Sequence, residues 1–411
     1  MDALKDRTAL LVGACLALVA ASAGFKARCV DASRNFRETC YSDVLELFTS
    51  RDVAAGRFPY VDGRLEGGAP VDTYEYPVLT GVFVWFSGLF ADDRAQFLLV
   101  STLFLAPCAV LVAVLLQRMT GARAWLWAAA PALVLYALHN WDLLAVAAAT
   151  AGLYLWHRDR AVLAAVVLGT GGMLKLYPAL FLLPLVLDLL TRRQVVRAVQ
   201  AAAAGVAAVV LPNVPFALID LDGWLTTYRF QQARAADGTS NSVWFWGADA
   251  HDLDTEQLNT VILVLLALMV AGVTAYGLLR WRREGVFPVL QTCAGLLVAF
   301  MLLNKVASPQ YVLWLLPFFA LLHVRVGWWV AFMLADLLVY VGVFRWLWAL
   351  QQGMDFGLAK QSLVVGVWTK SALLVVLFVL FLRARDARQP TQPPVVNVST
   401  SSAMSGAQTA T

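Results

Sequence analysis

The segment CVDASRNFRETCYSDVLELFTSRDVAAGRFPYVDGRLEGGAPVDTYEY, residues 29–76, is the only extended hydrophilic stretch in the first half of the chain. It contains carboxylates, arginines, tyrosines and two cysteines, and it lies between one hydrophobic segment and the next. In a bilayer, polar side chains must line a cavity or lie outside the hydrocarbon. We therefore interpret this segment as a loop that covers a membrane-embedded block and brings acid and base groups to an active site at one face.

The composition of the whole chain indicates what this loop is attached to. Of 411 residues, 60% are hydrophobic and 14% are charged, and the mean hydropathy is +0.70. A soluble domain could not bury so much apolar surface, whereas a helical membrane protein exposes it to lipid. The sequence predicts an all-α polytopic membrane bundle. A net charge of +4 gives no indication of nucleic-acid binding.

Apolar segments predict the spans of this bundle, because roughly 20 apolar residues in a helix cross the hydrocarbon. We predict about 12 transmembrane helices within a membrane domain of residues 1–388, and a disordered cytoplasmic tail over residues 389–411. A shorter run, Pro77–Phe90, is predicted as a half-helix or a surface helix on the outer side. The predicted spans are Thr8–Phe25, Phe97–Gln117, Ala124–Leu138, Leu143–Trp156, Ala161–Leu174, Leu176–Leu190, Val196–Leu218, Leu258–Leu279, Val286–Leu303, Gln310–His323, Val326–Phe344 and Gln361–Leu382.

The placement of arginine and lysine predicts the orientation of the spans. If the N-terminus is cytoplasmic, every short basic connection lies on the cytoplasmic side, and the C-terminus lies there too. The long loops at residues 29–76 and 219–257 are then extracytoplasmic, as are the polar connections at 139–142, 175–178, 304–311 and 345–360. The basic connections contain Arg118, Arg123, Arg158, Arg160, Arg192, Arg193, Arg197, Arg280, Arg282, Arg283, Arg325, Arg383, Arg385 and Arg388.

Two cysteines of the first loop, Cys29 and Cys40, could form a disulfide if the loop faces an oxidising compartment. The other cysteines, Cys15, Cys108 and Cys293, lie in apolar runs and are predicted to be packing residues.

Three carboxylates are candidates for a general base. Asp43 lies early in the first loop, within a run of helical appearance, Tyr41–Thr49. Glu75 precedes Pro77, where the loop returns to the membrane, and is either a second acid or a simple charge at a helix N-terminus. Asp142 is flanked by apolar runs, so its carboxylate needs a cavity or a cationic partner.

Isolated cations occur at the same predicted depth as Asp142. Lys175 and Lys305 could bind the phosphate of an anionic head group there. The alternative is an Asp142–Lys175 ion pair that ties two helices together. Asp336 lies alone near the middle of its segment and is either a buried hydrogen-bonded residue or a proton-relay group. We expect no cofactor, although Asp and Glu side chains alone can hold a divalent metal.

The order of these elements resembles that of the GT-C glycosyltransferases, in which one span, a long acidic outer loop and a Tyr-Pro-led short helix follow each other. Four short motifs are similar to those of glycosyltransferase family 87, which includes polyprenyl-phosphate-mannose-dependent α-1,2-mannosyltransferases. The resemblance extends to about Leu382. The motifs are Asn140-Trp141-Asp142, Lys175-Leu176-Tyr177-Pro178, Asn241-Ser242-Val243-Trp244 and Ser308-Pro309-Gln310-Tyr311.

The resemblance implies a cavity on the extracytoplasmic side and an inverting transfer of a sugar, with mannose favoured. The implied donor is a polyprenyl-phosphate sugar, and the implied acceptor is a lipid-linked or cell-envelope glycan. The implied first-loop base matches Asp43, and its context, Ser42-Asp43-Val44, leaves the base open among Asp43, Glu75 and Asp142. We expect Lys175, Tyr177, Lys305, Gln310 and Tyr311 to bind the donor phosphate, and Tyr76, Asn140, Trp141, Asn241 and Trp244 to bind the acceptor.

A transporter or lipid flippase is the alternative from a different class. Such a protein needs a polar path through the middle of the membrane and usually has internal repeats. In this sequence only Asp336 lies in mid-membrane, whereas the other polar residues gather at one face. This distribution favours an enzyme.

Overall fold

The computed structural model of the protein describes residues 2–247, 253–355 and 357–388. The predicted tail, residues 389–411, lies outside them. The described residues form a helical bundle with one short β-hairpin.

The first quarter of the chain contains one long helix and a compact loop region. The predicted helical run at 41–49 and a short helix within 77–90 are both present, as Asp43–Ser50 and Val78–Gly88. The hairpin between them pairs Leu65 with Pro70 and turns at two glycines of positive φ, Gly67 and Gly68. The elements are α1 (Asp2–Ala27), α2 (Asp43–Ser50), β1 (Arg64–Glu66), β2 (Ala69–Val71) and α3 (Val78–Gly88).

The remaining described residues are mostly helical. The helices are α4 (Arg94–Thr120), α5 (Trp125–Ala128), α6 (Ala132–Tyr136), α7 (Asp142–His157), α8 (Ala161–Gly172), α9 (Tyr177–Leu180), α10 (Leu182–Thr191), α11 (Val195–Val210), α12 (Val214–Ile219), α13 (Leu221–Ala233), α14 (Val243–Trp246), α15 (Thr255–Glu284), α16 (Val289–Leu303), α17 (Val312–Leu321), α18 (Val326–Gln351) and α19 (Gly357–Arg383).

Prolines interrupt two of the predicted spans. Pro131 lies between α5 and α6, and Pro212 lies between α11 and α12. Proline lacks the N–H of the helical ladder and disfavours helix in the residue before it. The segments at 124–138 and 196–218 are therefore broken, unlike the predicted single helices. The predicted break at residues 139–142 is present, and the predicted loop at 219–257 contains α13 and α14.

The described bundle is that of a polytopic membrane protein. Five apolar helices are long enough to cross a bilayer, and six shorter apolar helices accompany them. Their outer surfaces bear exposed leucines, such as Leu263 and Leu268 on α15. The five long helices are Arg7–Ala27, Arg94–Ala128, Thr255–Glu284, Val326–Gln351 and Gly357–Arg383.

Close helix packing depends on small residues at the contacts. A Cβ added to Gly342 of α18 would lie 2.8 Å from the backbone nitrogen of Leu363 on α19. A Cβ on Gly366 of α19 would lie 2.9 Å from the nitrogen of Val339 in return. Glycine at such contacts lets membrane helices approach closely enough for van der Waals packing to hold them together.

Most of the basic connections meet at one end of the bundle. Arg123 donates to the carbonyl oxygens of Phe319 (2.6 Å) and Leu322 (2.8 Å), just before α18. At the same end, the His323 backbone N–H donates to the carbonyl oxygen of Arg385 at 2.9 Å. The first loop lies at the opposite end, where the C-terminal ends of α1 and α18 meet.

A buried polar cluster connects α18 to its neighbours. The Asp336 carboxylate accepts hydrogen bonds from Lys370 Nζ (2.6 Å) and from the Tyr136 hydroxyl (2.6 Å). Its environment corresponds to the first alternative, a buried hydrogen-bonded residue. Breaking such a pair by removing one partner leaves an uncompensated buried charge.

Candidate active site

A cavity of about 830 Å³ lies at the end of the bundle that carries the first loop. Its walls come from α2, the segment before α3, the loops at 139–140 and 304–311, and parts of α9, α13 and α18. Residues far apart in sequence therefore meet around one space. The predicted site residues that line it are Asp43, Glu75, Tyr76, Asn140, Lys175, Tyr177, Asn241, Lys305, Gln310 and Tyr311.

Asp43 is the first residue of α2 and is half-buried at the cavity wall. Its backbone N–H donates to the carbonyl oxygen of His139 at 2.8 Å, and the Ser42 hydroxyl donates to that of Leu138 at 2.5 Å. The Asn140 amide donates to Asp43 Oδ2 at 2.7 Å and to the Tyr76 hydroxyl at 2.8 Å. The loop between α6 and α7 thus holds the start of α2 and orients the carboxylate.

Two tyrosines lie close to Asp43. Burial, and then the negative charge of Asp43, raise the pKa of Tyr41 well above its usual range. The same two causes raise the pKa of Tyr76, and Glu75 adds to them. Both phenols therefore keep their protons at neutral pH and can act as hydrogen-bond donors beside the carboxylate.

Glu75 is already engaged by a cation. Its Oε2 lies 3.3 Å from Arg51 Nη2, and both side chains are 17% exposed. The Gln231 side chain donates to the Glu75 carbonyl oxygen at 2.8 Å, which joins α13 to this part of the first loop. Glu75 lines the cavity, but its carboxylate is held in the ion pair with Arg51.

Asp142 does not line the cavity but lies behind its wall, fully buried. Its Oδ1 accepts a hydrogen bond from Trp314 Nε1 at 2.6 Å, and its Oδ2 lies 3.7 Å from Lys175 Nζ. The Lys175 ammonium lies 4.4 Å from the ring centroid of Tyr76 and faces the cavity. Asp142 thus forms the ion pair that was the alternative prediction, and it orients a lysine that the cavity exposes.

A second group of cations lines the wall formed by α13 and the 304–311 loop. Lys305 Nζ donates to the carbonyl oxygen of Gln232 (3.1 Å) and to Asn259 Oδ1 (2.6 Å). Burial, and then the positive charge of Arg234, lower the pKa of Lys305. Arg234 also lines the cavity and pairs with no carboxylate of the described residues. The sequence prediction missed it, although the polar run 231–237 was a signal for it.

An aromatic stack forms another wall. The Trp314 ring lies between Tyr177, at a centroid distance of 4.4 Å, and Tyr311, at 3.8 Å. Within the described residues, no hydrogen-bond partner meets the Tyr177 hydroxyl, Gln310 Oε1 or Asn241 Oδ1. Buried polar atoms of native proteins are nearly always paired, so these three atoms of lining residues are exceptions. Trp314 was missed as a site residue.

Two predicted acceptor-binding residues lie outside the cavity lining. Trp141 is buried and packs edge-on against Tyr76 at 5.7 Å. Trp244 donates its Nε1–H to the carbonyl oxygen of Leu303 at 2.8 Å. Trp141 therefore supports the lining residue Tyr76 from behind, whereas the Trp244 hydrogen bond joins α14 to the end of α16. In the described part of the chain, no group of three or more His, Cys, Asp or Glu side chains could hold a metal ion.

Comparison with known protein families matches residues 74–304 to the family described as "Glycosyltransferase family 87". The matched segment covers more than half of the chain and includes Glu75, Asn140 and Lys175. Lys305 directly follows the matched segment, whereas Asp43 lies well before its start. No curated protein matches the chain.

Proposed function

The chain belongs to glycosyltransferase family 87, a family of GT-C type membrane glycosyltransferases, and from this premise we propose a specific transfer reaction. The donor is a polyprenyl-phosphate sugar, with mannose favoured, and the acceptor is a lipid-linked or cell-envelope glycan. The observation that supports this proposal is the cavity itself. Asp43, a carboxylate without an ion pair among the described residues, lines it together with three cations, Lys175, Lys305 and Arg234.

These groups have the charges that the reaction requires. The acceptor hydroxyl attacks the anomeric carbon of the donor from the face opposite the phosphate, and Asp43 takes the hydroxyl proton. As the new carbon–oxygen bond forms, the bond from the anomeric carbon to the phosphate oxygen breaks, and polyprenyl phosphate leaves with the electron pair. The anomeric configuration is inverted. Preorganised cations stabilise the negative charge that grows on the leaving phosphate.

Among the three candidate bases we assign the role to Asp43. Glu75 is paired with Arg51, and Asp142 is buried behind Lys175. Asp43 forms no ion pair with a described cation, accepts from Asn140 and faces the cavity. Asp142 is then a positioning residue for Lys175, and the stacked rings of Tyr177, Trp314 and Tyr311 offer an apolar surface for a sugar or prenyl group.

The proposal includes an orientation and a complete set of membrane crossings. We place the cavity on the extracytoplasmic side and both termini in the cytoplasm. The shorter apolar helices then complete the crossings beside the five long ones, toward the predicted total of about 12. The GT-C architecture accounts for the long first loop over the cavity mouth.

The decisive experiment is transfer from polyprenyl-phosphate mannose by the full-length protein in proteoliposomes. Asp43→Asn is expected to lower kcat by about 10²–10⁴, because it removes the general base. The matched control is Asp62→Asn, an exposed carboxylate of the same loop that does not line the cavity. Lys175→Gln is expected to raise the donor KM more than the acceptor KM. Full activity of a folded Asp43→Asn protein, or transfer only from a nucleotide sugar, would contradict the proposal.

A further inference from the structure

A second cavity, of about 860 Å³, lies at the same end of the bundle. It is formed by the Cys29–Cys40 loop and by the ends of α1 and α18. None of its lining residues lines the active-site cavity. Its positively charged lining residues are Arg28, Arg34, Arg37 and Arg345, and its negatively charged lining residues are Asp31 and Glu38. We refer to it as the arginine cavity.

Two of the four arginines in this cavity have ionic partners and two do not. Arg28 lies 2.5 Å from a Glu38 carboxylate oxygen, and Arg34 lies 3.9 Å from the other. Arg37 and Arg345 are exposed and pair with no carboxylate of the described residues. A guanidinium that keeps its donors free can bind a phosphate through two parallel hydrogen bonds.

An aromatic wall separates the arginine cavity from the active site. Phe36 stacks on Tyr41 at 5.6 Å and on Phe344 at 6.1 Å, and all three rings line the active-site cavity. Their sequence neighbours Arg37 and Arg345 line the other cavity. The loop segment that leads to Asp43 thus contributes to both cavities. A ligand in the arginine cavity would contact the same segment that forms a wall of the active-site cavity.

The arginine cavity lies at the ends of two long apolar helices. Phe25 near the end of α1 and Trp348 near the end of α18 are among its lining residues. Aromatic side chains at the ends of membrane helices are typical of the head-group level of a bilayer. The Arg345 guanidinium lies 5.9 Å from the ring centroid of Trp348, which places a cation at this level.

The face of α18 that carries Arg345 continues as an apolar stripe. Val341 precedes Arg345 by one helical turn, about 6 Å along the axis, and is 42% exposed. Leu337 and Leu334 follow on the same side and are 42% and 61% exposed. Residues spaced by three, four or seven positions share one face of a helix. The exposed Arg345 guanidinium therefore lies at one end of an exposed apolar surface along which an acyl chain could lie.

We propose that the arginine cavity binds the phosphate of an anionic membrane phospholipid through Arg37 and Arg345, with its acyl chains along the stripe of Leu334, Leu337 and Val341. A soluble phosphate would use the same guanidiniums but not the stripe, and the continuity of the two features favours the lipid. The bound lipid would hold the Cys29–Cys40 loop against α18. This inference depends on the membrane bundle and not on the sugar that the enzyme transfers.

The test is lipid binding to the full-length protein in phosphatidylcholine nanodiscs, with added phosphatidylglycerol counted by native mass spectrometry. The double variant Arg37→Gln/Arg345→Gln is expected to bind phosphatidylglycerol at least about tenfold more weakly than the wild type. The reason is that it loses the hydrogen bonds from the guanidiniums to the charged phosphate. The control Arg282→Gln/Arg283→Gln removes the same charge from the last turn of α15, outside the cavity. It is expected to bind like the wild type.

Two further arms identify the source of the phosphate. Inorganic phosphate and short-chain dihexanoyl phosphatidylglycerol are titrated against the long-chain lipid, and both are expected to bind at least about tenfold more weakly, since they bury little of the stripe. Equal binding of inorganic phosphate would overturn the lipid assignment, and equal losses in the test and control variants would overturn the site. If the double variant does not fold, Arg345→Lys and Arg345→Gln are compared, and Lys is expected to retain more binding.

Discussion

At the scale of single residues, the environments of three carboxylates separate their roles. Glu75 has Arg51 at 3.3 Å, and Asp142 has Lys175 at 3.7 Å together with a bond from Trp314. Asp43 instead accepts from the neutral amide of Asn140. Asp43 faces the cavity without an ion-pair partner among the described residues, so the arrangement favours it as the group that receives a proton.

The charge of Lys305 is expected to depend on pH within a range that an experiment can reach. Burial and the neighbouring Arg234 lower the pKa of Lys305, so this lysine loses its charge at a lower pH than an exposed lysine does. Because arginine stays protonated throughout the accessible range, Lys305→Arg keeps the charge where wild-type Lys305 has lost it.

We therefore expect the donor KM of the wild-type enzyme to rise on the alkaline side, and the same rise to begin at higher pH in Lys305→Arg. The measurement is the donor KM against pH between about 7 and 10, near and below the usual lysine pKa. The acceptor KM serves as the internal control. Identical alkaline limbs for the two proteins would show that Lys305 does not hold the donor phosphate.

At the scale of elements, two devices fix the first loop over the cavity. The Tyr60 hydroxyl donates to the carbonyl oxygens of Tyr76 (2.8 Å) and Pro77 (3.1 Å), at the start of α3. Gly81 on α3 leaves room for this hydroxyl, which a Cβ there would meet directly. The second device is the Cys29–Cys40 disulfide, whose Cα atoms are 5.6 Å apart, as the sequence predicted.

Removing the disulfide is expected to destabilise the protein by about 3 kcal/mol. The disulfide closes a short loop, and without it the unfolded chain regains the conformational entropy of that loop. The measurement is thermal unfolding of Cys29→Ser/Cys40→Ser in detergent, with Cys108→Ser as the control at a free cysteine. A reductant should lower the Tm of the wild type and leave that of the double variant unchanged. A variant as stable as the wild type would show that the loop is held by packing alone.

At the scale of the whole molecule, polar groups divide between the two ends of the bundle. One end gathers the arginines of the short connections, such as Arg123 and Arg280, which donate to main-chain carbonyl oxygens. The other end gathers the first loop, the two cavities and the cations Lys175 and Lys305. This division is the basis on which we propose that the arginine-rich end faces the cytoplasm, in line with the positive-inside rule.

This orientation predicts the accessibility of introduced cysteines. In a Cys108→Ala background, Glu66→Cys in the hairpin is expected to react with a membrane-impermeant maleimide in intact cells. Arg283→Cys, at the end of α15, is expected to react only after permeabilisation. Both positions are exposed, so burial does not explain a difference between them. Labelling of Arg283→Cys alone in intact cells would reverse the proposed orientation of the protein.

The amino-acid sequence alone determined the class of the protein, the positions of most helices and the residues that gather at one end. These features follow from local quantities: the length of an apolar run, the place of a proline and the sign of the charge in a connection. It also indicated the disulfide, since Cys29 and Cys40 share one short loop. Pro131 and Pro212 show that even the local breaks could be overlooked where the apolar pattern runs through them.

Only the tertiary structure decided which of the gathered groups touch. Asp142 and Lys175 are separated by more than thirty positions, and only the packing of α7 against the turn after α8 makes them a pair. Packing likewise brought Arg234 and Trp314 to the cavity wall and formed a second cavity from the ends of α1 and α18. Contacts of this kind depend on the distances between helices, which no local pattern encodes, because each helix can place the same face against several neighbours.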